Sequence, residues 1–191
     1  MSYTNPLHTP VGTINRSSYS ALGSAIQQPS ASASSSTRRR VPQSSVGKSR
    51  PSNEISFDYV GYSNVGMPLR ELHARGPHAL QQMMQGANDA VLAHTRQRKI
   101  NLHISWPGYE HAPWCRSIDI MTPAGPITRA HLASIVAHCF SEYIEKTQYQ
   151  STRSPDWRLG AGGFSLDHIM LLSVCNVGGD EWQAEVAIDF K

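Results

Sequence analysis

The sequence predicts an α+β fold, an antiparallel sheet of about four to five strands with one long helix packed on a face, in the order α-ββ-α-ββ. Two observations carry this expectation. The apolar residues Leu132, Ile135, Val136, Cys139, Phe140, Tyr143 and Ile144 advance by three and one in alternation, which is one stripe of an α-helix. On either side of that stripe lie runs with period two: Ile100, Leu102 and Ile104 before it, and Trp182, Ala184, Val186, Ile188 and Phe190 after it. A period of two makes a strand with one face buried. A helix stripe and several one-sided strands must each hide an apolar face, and laying the helix across the sheet hides all of them at once.

The elements follow in order. From Glu54 to Gly66, Ile55, Phe57, Tyr59, Val60 and Tyr62 suit a short strand or an arm lying on the domain. Met67 to Leu72, with Pro68 early and helix formers after it, suits a turn or two of helix. Another helix opens at Pro77, with Leu80, Met83, Met84 and Ala87 at helical spacing, and Gly86, Asn88 and Asp89 weaken it. Lys99 to Ser105 and Ser117 to Met121 pair as a hairpin across a long loop, and Thr122 to Pro126 turns the chain into the principal helix, Arg129 to Lys146. Thr128 is placed to cap that helix, and Glu142 with Lys146 to form an i,i+4 ion pair. Trp157 to Leu159 reads as a short edge strand. Leu166 to Val174 is apolar at nearly every position, as a strand covered on both faces would be. Val177-Gly178-Gly179-Asp180 is a hairpin turn leading into the final strand, Glu181 to Phe190.

Charge divides the chain in two. Residues 1–53 hold six basic residues and no acidic one, while all 14 acidic residues and 11 basic ones follow. The first part is rich in Ser and poor in large apolar residues, so it is expected to be a disordered basic tail, with a single α+β domain over 54–191. Arg38, Arg39, Arg40, Lys48 and Arg50 make a loose basic cluster, read as solvated charge or as a nuclear localisation or anion-binding patch. The foldable part is mildly acidic, so any attraction to nucleic acid is expected from the tail alone. No apolar run is long enough for a membrane span, and the N-terminus has no apolar segment of a secretory signal. Three widely spaced cysteines, Cys115, Cys139 and Cys175, suit reduced thiols and a cytoplasmic or nuclear protein.

The loop from Trp106 to Arg116 is the best candidate site. It gathers Trp106, Tyr109, His111, Trp114, Cys115 and Arg116 between two prolines, Pro107 and Pro113. Exposed, Trp106, Tyr109, His111 and Trp114 would be a recognition surface with Arg116 as charged anchor. Folded back, the tryptophans would be a lid on the core, the reading favoured for so small a domain. A metal site would draw on His103, His111, Cys115 and His168, a set without Cys-x-x-Cys or His-x-x-x-His spacing, and neither metal nor cofactor is expected. Cys115 with His111 or His103 could be thiol and base, but no oxyanion-hole motif accompanies them and no catalytic residue is assigned. The glycines Gly160, Gly162 and Gly163 lack the Lys-Ser/Thr ending of a phosphate loop. His131 and His138 flank the helix stripe as edge histidines.

From about Met67 to Phe190 the segments WPGYEHAPWCRSIDI, GPITRAHLASIVAHCFSEYIEK and WRLGAGGFSLDHIMLLSVCNVGGDEWQAEV resemble small α+β domain proteins of mushroom-forming fungi, a domain of unknown function set behind a variable Ser/Pro-rich tail. The resemblance implies an intracellular fungal protein and brings no activity, cofactor or catalytic residue with it. The functional expectation is a noncatalytic intracellular protein-interaction module that presents the Trp106 to Arg116 loop or a sheet edge to a protein partner, with the tail as a regulated tether. The alternatives are a small hydrolase-like or thiol-dependent enzyme using Cys115 and a nearby histidine, and nonspecific nucleic-acid binding through the basic tail.

Overall fold

A computed structural model describes residues 38–43 and 53–190. Lys48, Arg50 and most of the expected tail lie outside the described residues. The chain runs through β1 (Arg38–Arg40), β2 (Glu54–Ser56), β3 (Met67–Pro68), α1 (Leu69–Ala74), α2 (Pro77–Met83), β4 (Lys99–Ile104) and β5 (Trp114–Asp119). A small hairpin of β6 (Met121–Thr122) and β7 (Gly125–Pro126) leads into α3 (Arg129–Thr147), and β8 (Ile169–Gly178) and β9 (Glu181–Asp189) close the fold. The architecture is mixed α+β, with a seven-stranded sheet whose main path is β2-β8-β9-β4-β5.

The β8–β9 hairpin is the middle of the sheet, and each of its outer edges is shared by two strands. On β8, β2 pairs Ile55 with Val174 and β3 pairs Met67 with Leu171. On β9, β4 pairs Leu102 with Trp182 and β1 pairs Arg39 with Ile188. Such sharing needs no long strand, only pieces that meet the same ladder at successive points. Gly66, between β2 and β3, brings its backbone within touching distance of β8: a Cβ there would sit 2.7 Å from the Leu171 carbonyl oxygen, at a φ of +73°.

The helix forms where its stripe predicts. Thr128 Oγ1 accepts from the His131 N–H at 3.3 Å, and the Asp89 and Ala87 carbonyls take the N–H groups of Arg129 and Ala130. The Gly86 to Asp89 turn, which ends the pattern of α2, therefore caps the next helix. Leu132, Val136, Cys139, Phe140 and Tyr143 are buried in the same core as Ile100, Leu102, Ile104, Trp182, Ala184, Val186 and Ile188. α1 and α2 pack against α3.

Several expectations need correction. The sheet is larger than four to five strands and is not wholly antiparallel, since β4 runs parallel to β9. The added strands β1 and β3 are three and two residues long, too short to show a period, and β2 is a three-residue strand within the Glu54 to Gly66 run. The arginine triplet, expected in a disordered tail, is edge strand β1. Its charges are met at home: Arg38 by Asp189 at 3.6 Å, Arg40 by Glu185 at 3.4 Å, and the Arg39 guanidinium lies over the Trp157 ring at 4.4 Å. Glu142 binds Arg116 of β5 rather than pairing with Lys146. Trp157 ends a 3-10 turn, Pro155–Trp157, in place of the edge strand. Leu166–His168 is likewise a 3-10 turn, capped by Ser165, and delays the start of β8.

Candidate functional site

The loop after β4 folds back as a lid. Trp106 and Tyr109 are 1% and 2% exposed. The Trp106 Nε1–H donates to the Trp157 carbonyl at 2.7 Å, and its ring meets Trp157 and Phe164 edge-on. The Tyr109 hydroxyl accepts from the Leu159 N–H at 3.1 Å, and the Gly108 carbonyl accepts from the Arg153 N–H at 3.0 Å. At Gly108, with φ +84°, a Cβ would stand 2.4 Å from Thr152 Oγ1, so the loop lies directly on the segment after α3. His111 is exposed and stacked on Tyr109. Trp106 and Tyr109 are buried, and both side chains pack the lid onto the core. Trp114 and Arg116 belong to β5, which starts earlier than the alternation suggests.

β5 is the end strand of the main path, and its outward side meets no partner among the described residues. The phase of the ladder shows which groups face out. The Ile120 N–H donates to the Arg98 carbonyl at 3.0 Å, so Ile118, Arg116 and Trp114 also exchange bonds with β4, through Ile100, Leu102 and Ile104. Cys115, Ser117 and Asp119 then turn N–H and C=O away from the sheet. The other side of β4 agrees, because Asn101 N–H donates to the Asp180 carbonyl of the β8–β9 turn at 2.8 Å.

Beside this edge runs an open groove of about 720 Å³ between β5 and α3, closed at one end by the β6–β7 hairpin. Ile118 and Ile135 give it an apolar floor, Met121 projects at 48% exposure, and Arg116, His131, His138 and Glu142 set its polar wall. Arg116 and Glu142 are tied to each other, which joins strand to helix. The His138 ring lies 4.4 Å from that of His73 of α1, tilted by 37°.

No family model, curated protein or solved structure matches this chain.

On the sheet face opposite α3, three side chains of the kind that bind metals converge. His103 and Cys115 are directly cross-strand, in a pair whose backbones do not exchange bonds and whose side chains therefore stand close. Cys115 Sγ is 3.7 Å from His103 Nε2, and the same nitrogen is bonded to Glu181 Oε2. Glu181 opposes Asn101 in the parallel β4–β9 ladder, one diagonal step from His103. The Asn101 amide donates to Glu181 Oε1 at 3.0 Å and to Asp180 Oδ2 at 3.1 Å. Bonds from His103 and then Asn101 hold the Glu181 carboxyl below its ordinary range. Burial, followed by the charges of Glu181 and Asp180, pushes the Cys115 thiol up.

Of the set weighed from the sequence, His103 and Cys115 meet, while His111 lies on the lid and His168 caps the turn before β8. Glu181 was missed because its outward position is readable from alternation but its neighbour is not: the parallel pairing joins segments 78 residues apart. As a catalytic pair the arrangement is poor. One imidazole nitrogen faces both partners, so the ring cannot take a proton from sulfur while its other nitrogen is oriented by the carboxylate, and the raised thiol disfavours thiolate. The groove residues Ile118, Met121, Ile135 and His138 were also missed as site residues. Of the five residues singled out in the loop, Arg116 alone lines the groove.

Proposed function

We propose that the protein is a noncatalytic interaction module that takes an extended segment of a partner protein as an additional strand beside β5. The observation that carries the reading is the outward backbone of Cys115, Ser117 and Asp119 alongside a groove walled by α3. An added strand gains affinity from main-chain hydrogen bonds and specificity from alternate side chains that enter pockets. Here every second side chain of the occupant would drop between β5 and α3 onto Ile118, Ile135 and Met121. The occupant is therefore a segment of about five or six residues with apolar side chains at alternate positions. Its backbone would cover the one long edge strand of the sheet, six residues against three in β1 and β2. Of the basic cluster, Arg38 and Arg40 lie beside Asp189 and Glu185 and Arg39 over the Trp157 ring, while Lys48 and Arg50 lie outside the described residues.

Ser117→Pro tests this. The Ser117 N–H points outward, so proline removes a donor from the binding edge and none from the β4–β5 ladder. Random heptapeptides displayed on phage and selected on the full chain are expected to alternate apolar with polar residues. Synthetic versions are expected to bind S117P about tenfold more weakly, the equivalent of one or two lost hydrogen bonds, with the melting temperature retained. Peptides that bind wild type and S117P equally would overturn the reading. So would a wild-type dimer in sedimentation that S117P converts to monomer, which would make a second copy the occupant.

A further inference from the structure

We infer that His103, Cys115 and Glu181 bind a borderline divalent metal ion of the zinc class on the open face of the sheet. The inference stands on side chains across the sheet from the groove and does not depend on the strand-addition reading. One ligand atom from each residue lies within 4.8 Å of the others. Donors bonded tetrahedrally at about 2.0–2.3 Å from a zinc ion stand roughly 3.3–3.8 Å apart. The Cys115 Sγ to His103 Nε2 separation of 3.7 Å already meets that spacing, and side-chain rotation on a fixed sheet accommodates the rest. The three residues sit on β5, β4 and β9, at adjacent positions of one hydrogen-bonded sheet, so the backbone that presents them is rigid.

The donor set selects the metal. A thiolate with an imidazole suits zinc and its probe cobalt(II), whereas calcium and magnesium require oxygen alone. Binding releases one proton, from the Cys115 thiol, and leaves a thiolate and a carboxylate whose two charges balance the ion. Asn101 holds Glu181 by Oε1, the outer support that ligating carboxylates ordinarily have, while Oε2 is bonded to His103 Nε2, a contact that an ion placed between the two atoms replaces. Cys115 is exposed, so a fourth position opens to water. The other cluster with ligand atoms, Glu54, Cys175 and Glu185, is a weaker candidate. It has no imidazole, its thiol is buried and pushed up to about 11, and Glu185 is engaged by Arg40.

The test uses the reduced, metal-free full chain titrated with zinc against a chromophoric chelator, and with cobalt(II) followed by absorption. Wild type is expected to take up a single zinc ion and to show a thiolate-to-cobalt charge-transfer band. Cys115→Ser is expected to abolish the band, and His103→Ala and Glu181→Gln to weaken zinc binding by more than about a hundredfold, beyond the roughly 10–100-fold that loss of an outer supporting residue costs. Cys139→Ser and Cys175→Ser should leave both readouts intact. The inference is overturned if the protein takes up no zinc, if the band survives C115S, or if C175S removes it. Cys115 is a surface residue, so C115S is expected to fold, and a melting curve matching wild type confirms that the lost band reports a lost ligand.

Discussion

Replacing Trp106 by alanine separates the two readings of the aromatic loop, because a lid and a recognition surface fail in different ways. The side chain is 1% exposed and donates its indole N–H to the Trp157 carbonyl. An aromatic of this size buries about 200 Å², and at about 25 cal/mol per Å² its transfer contributes roughly 5 kcal/mol. That figure is an upper bound, because the unfolded chain already covers part of its apolar surface. The Trp157 carbonyl left without its donor adds about 1 kcal/mol, and truncations of this kind cost about 3–5 kcal/mol. W106A is therefore expected to lose about 4 kcal/mol, a large share of the roughly 5–15 kcal/mol that a domain has. Trp114→Ala, which removes a half-buried ring meeting Tyr143 edge-on at 6.5 Å, is expected to lose about 1–2 kcal/mol. Urea unfolding reads both through the shift in midpoint at constant m. A W106A loss under about 1 kcal/mol would refute the packing argument and return the indole to the surface.

Three further outcomes follow from single observations. Iodoacetamide should label Cys115 alone in the native protein, and more slowly near neutral pH than a free model thiol, since its thiol is pushed up; Cys139 and Cys175 are buried and pushed up to about 11. A Cys115 faster than the model thiol would revive the thiol-enzyme alternative. Glu181 has a folded pKa held below its ordinary 4.5, so its contribution to stability is complete above that value and disappears as pH falls through the lowered one. Glu181→Gln should therefore flatten the acid side of the stability curve below pH 4.5, by less than about 1 kcal/mol because the pair is partly solvated; an unchanged acid limb would contradict it. Gly66→Ala should cost about 2 kcal/mol or more, from positive φ and the collision with Leu171, and a melting temperature equal to wild type would show that the turn is not as tight as described.

How much of this was legible in the sequence depends on whether a residue's environment is local. The stripe from Leu132 to Ile144 and the alternation after Glu181 each report a single element against a single core, and α3 and β9 fall where those patterns put them, save that Phe190, expected inward, lies past the end of β9 and is half exposed. The alternation places the start of β5 at Ser117, because Trp114, Cys115 and Arg116 show no clean period. As an edge strand it keeps Cys115 and Arg116 in solvent on both faces, and only Ile118 is fully buried. The arginine triplet carries the composition of a solvated tail, and only the placement of Asp189, Glu185 and Trp157 turns it into a strand. The groove and the His103, Cys115 and Glu181 cluster both depend on which strands are neighbours. A parallel pairing between β4 and β9 leaves no mark in either segment.

Residue-resolved amide hydrogen exchange distinguishes a β5 edge that is open and takes up a strand from one that is already paired. In the free protein Arg116 and Ile118 should exchange slowly, through their bonds to β4, while Cys115, Ser117 and Asp119 exchange fast; a selected alternating heptapeptide should slow these three and leave α3 unchanged. Protection of Cys115, Ser117 and Asp119 in the free protein, or fast exchange that persists with peptide bound, would contradict strand addition at β5.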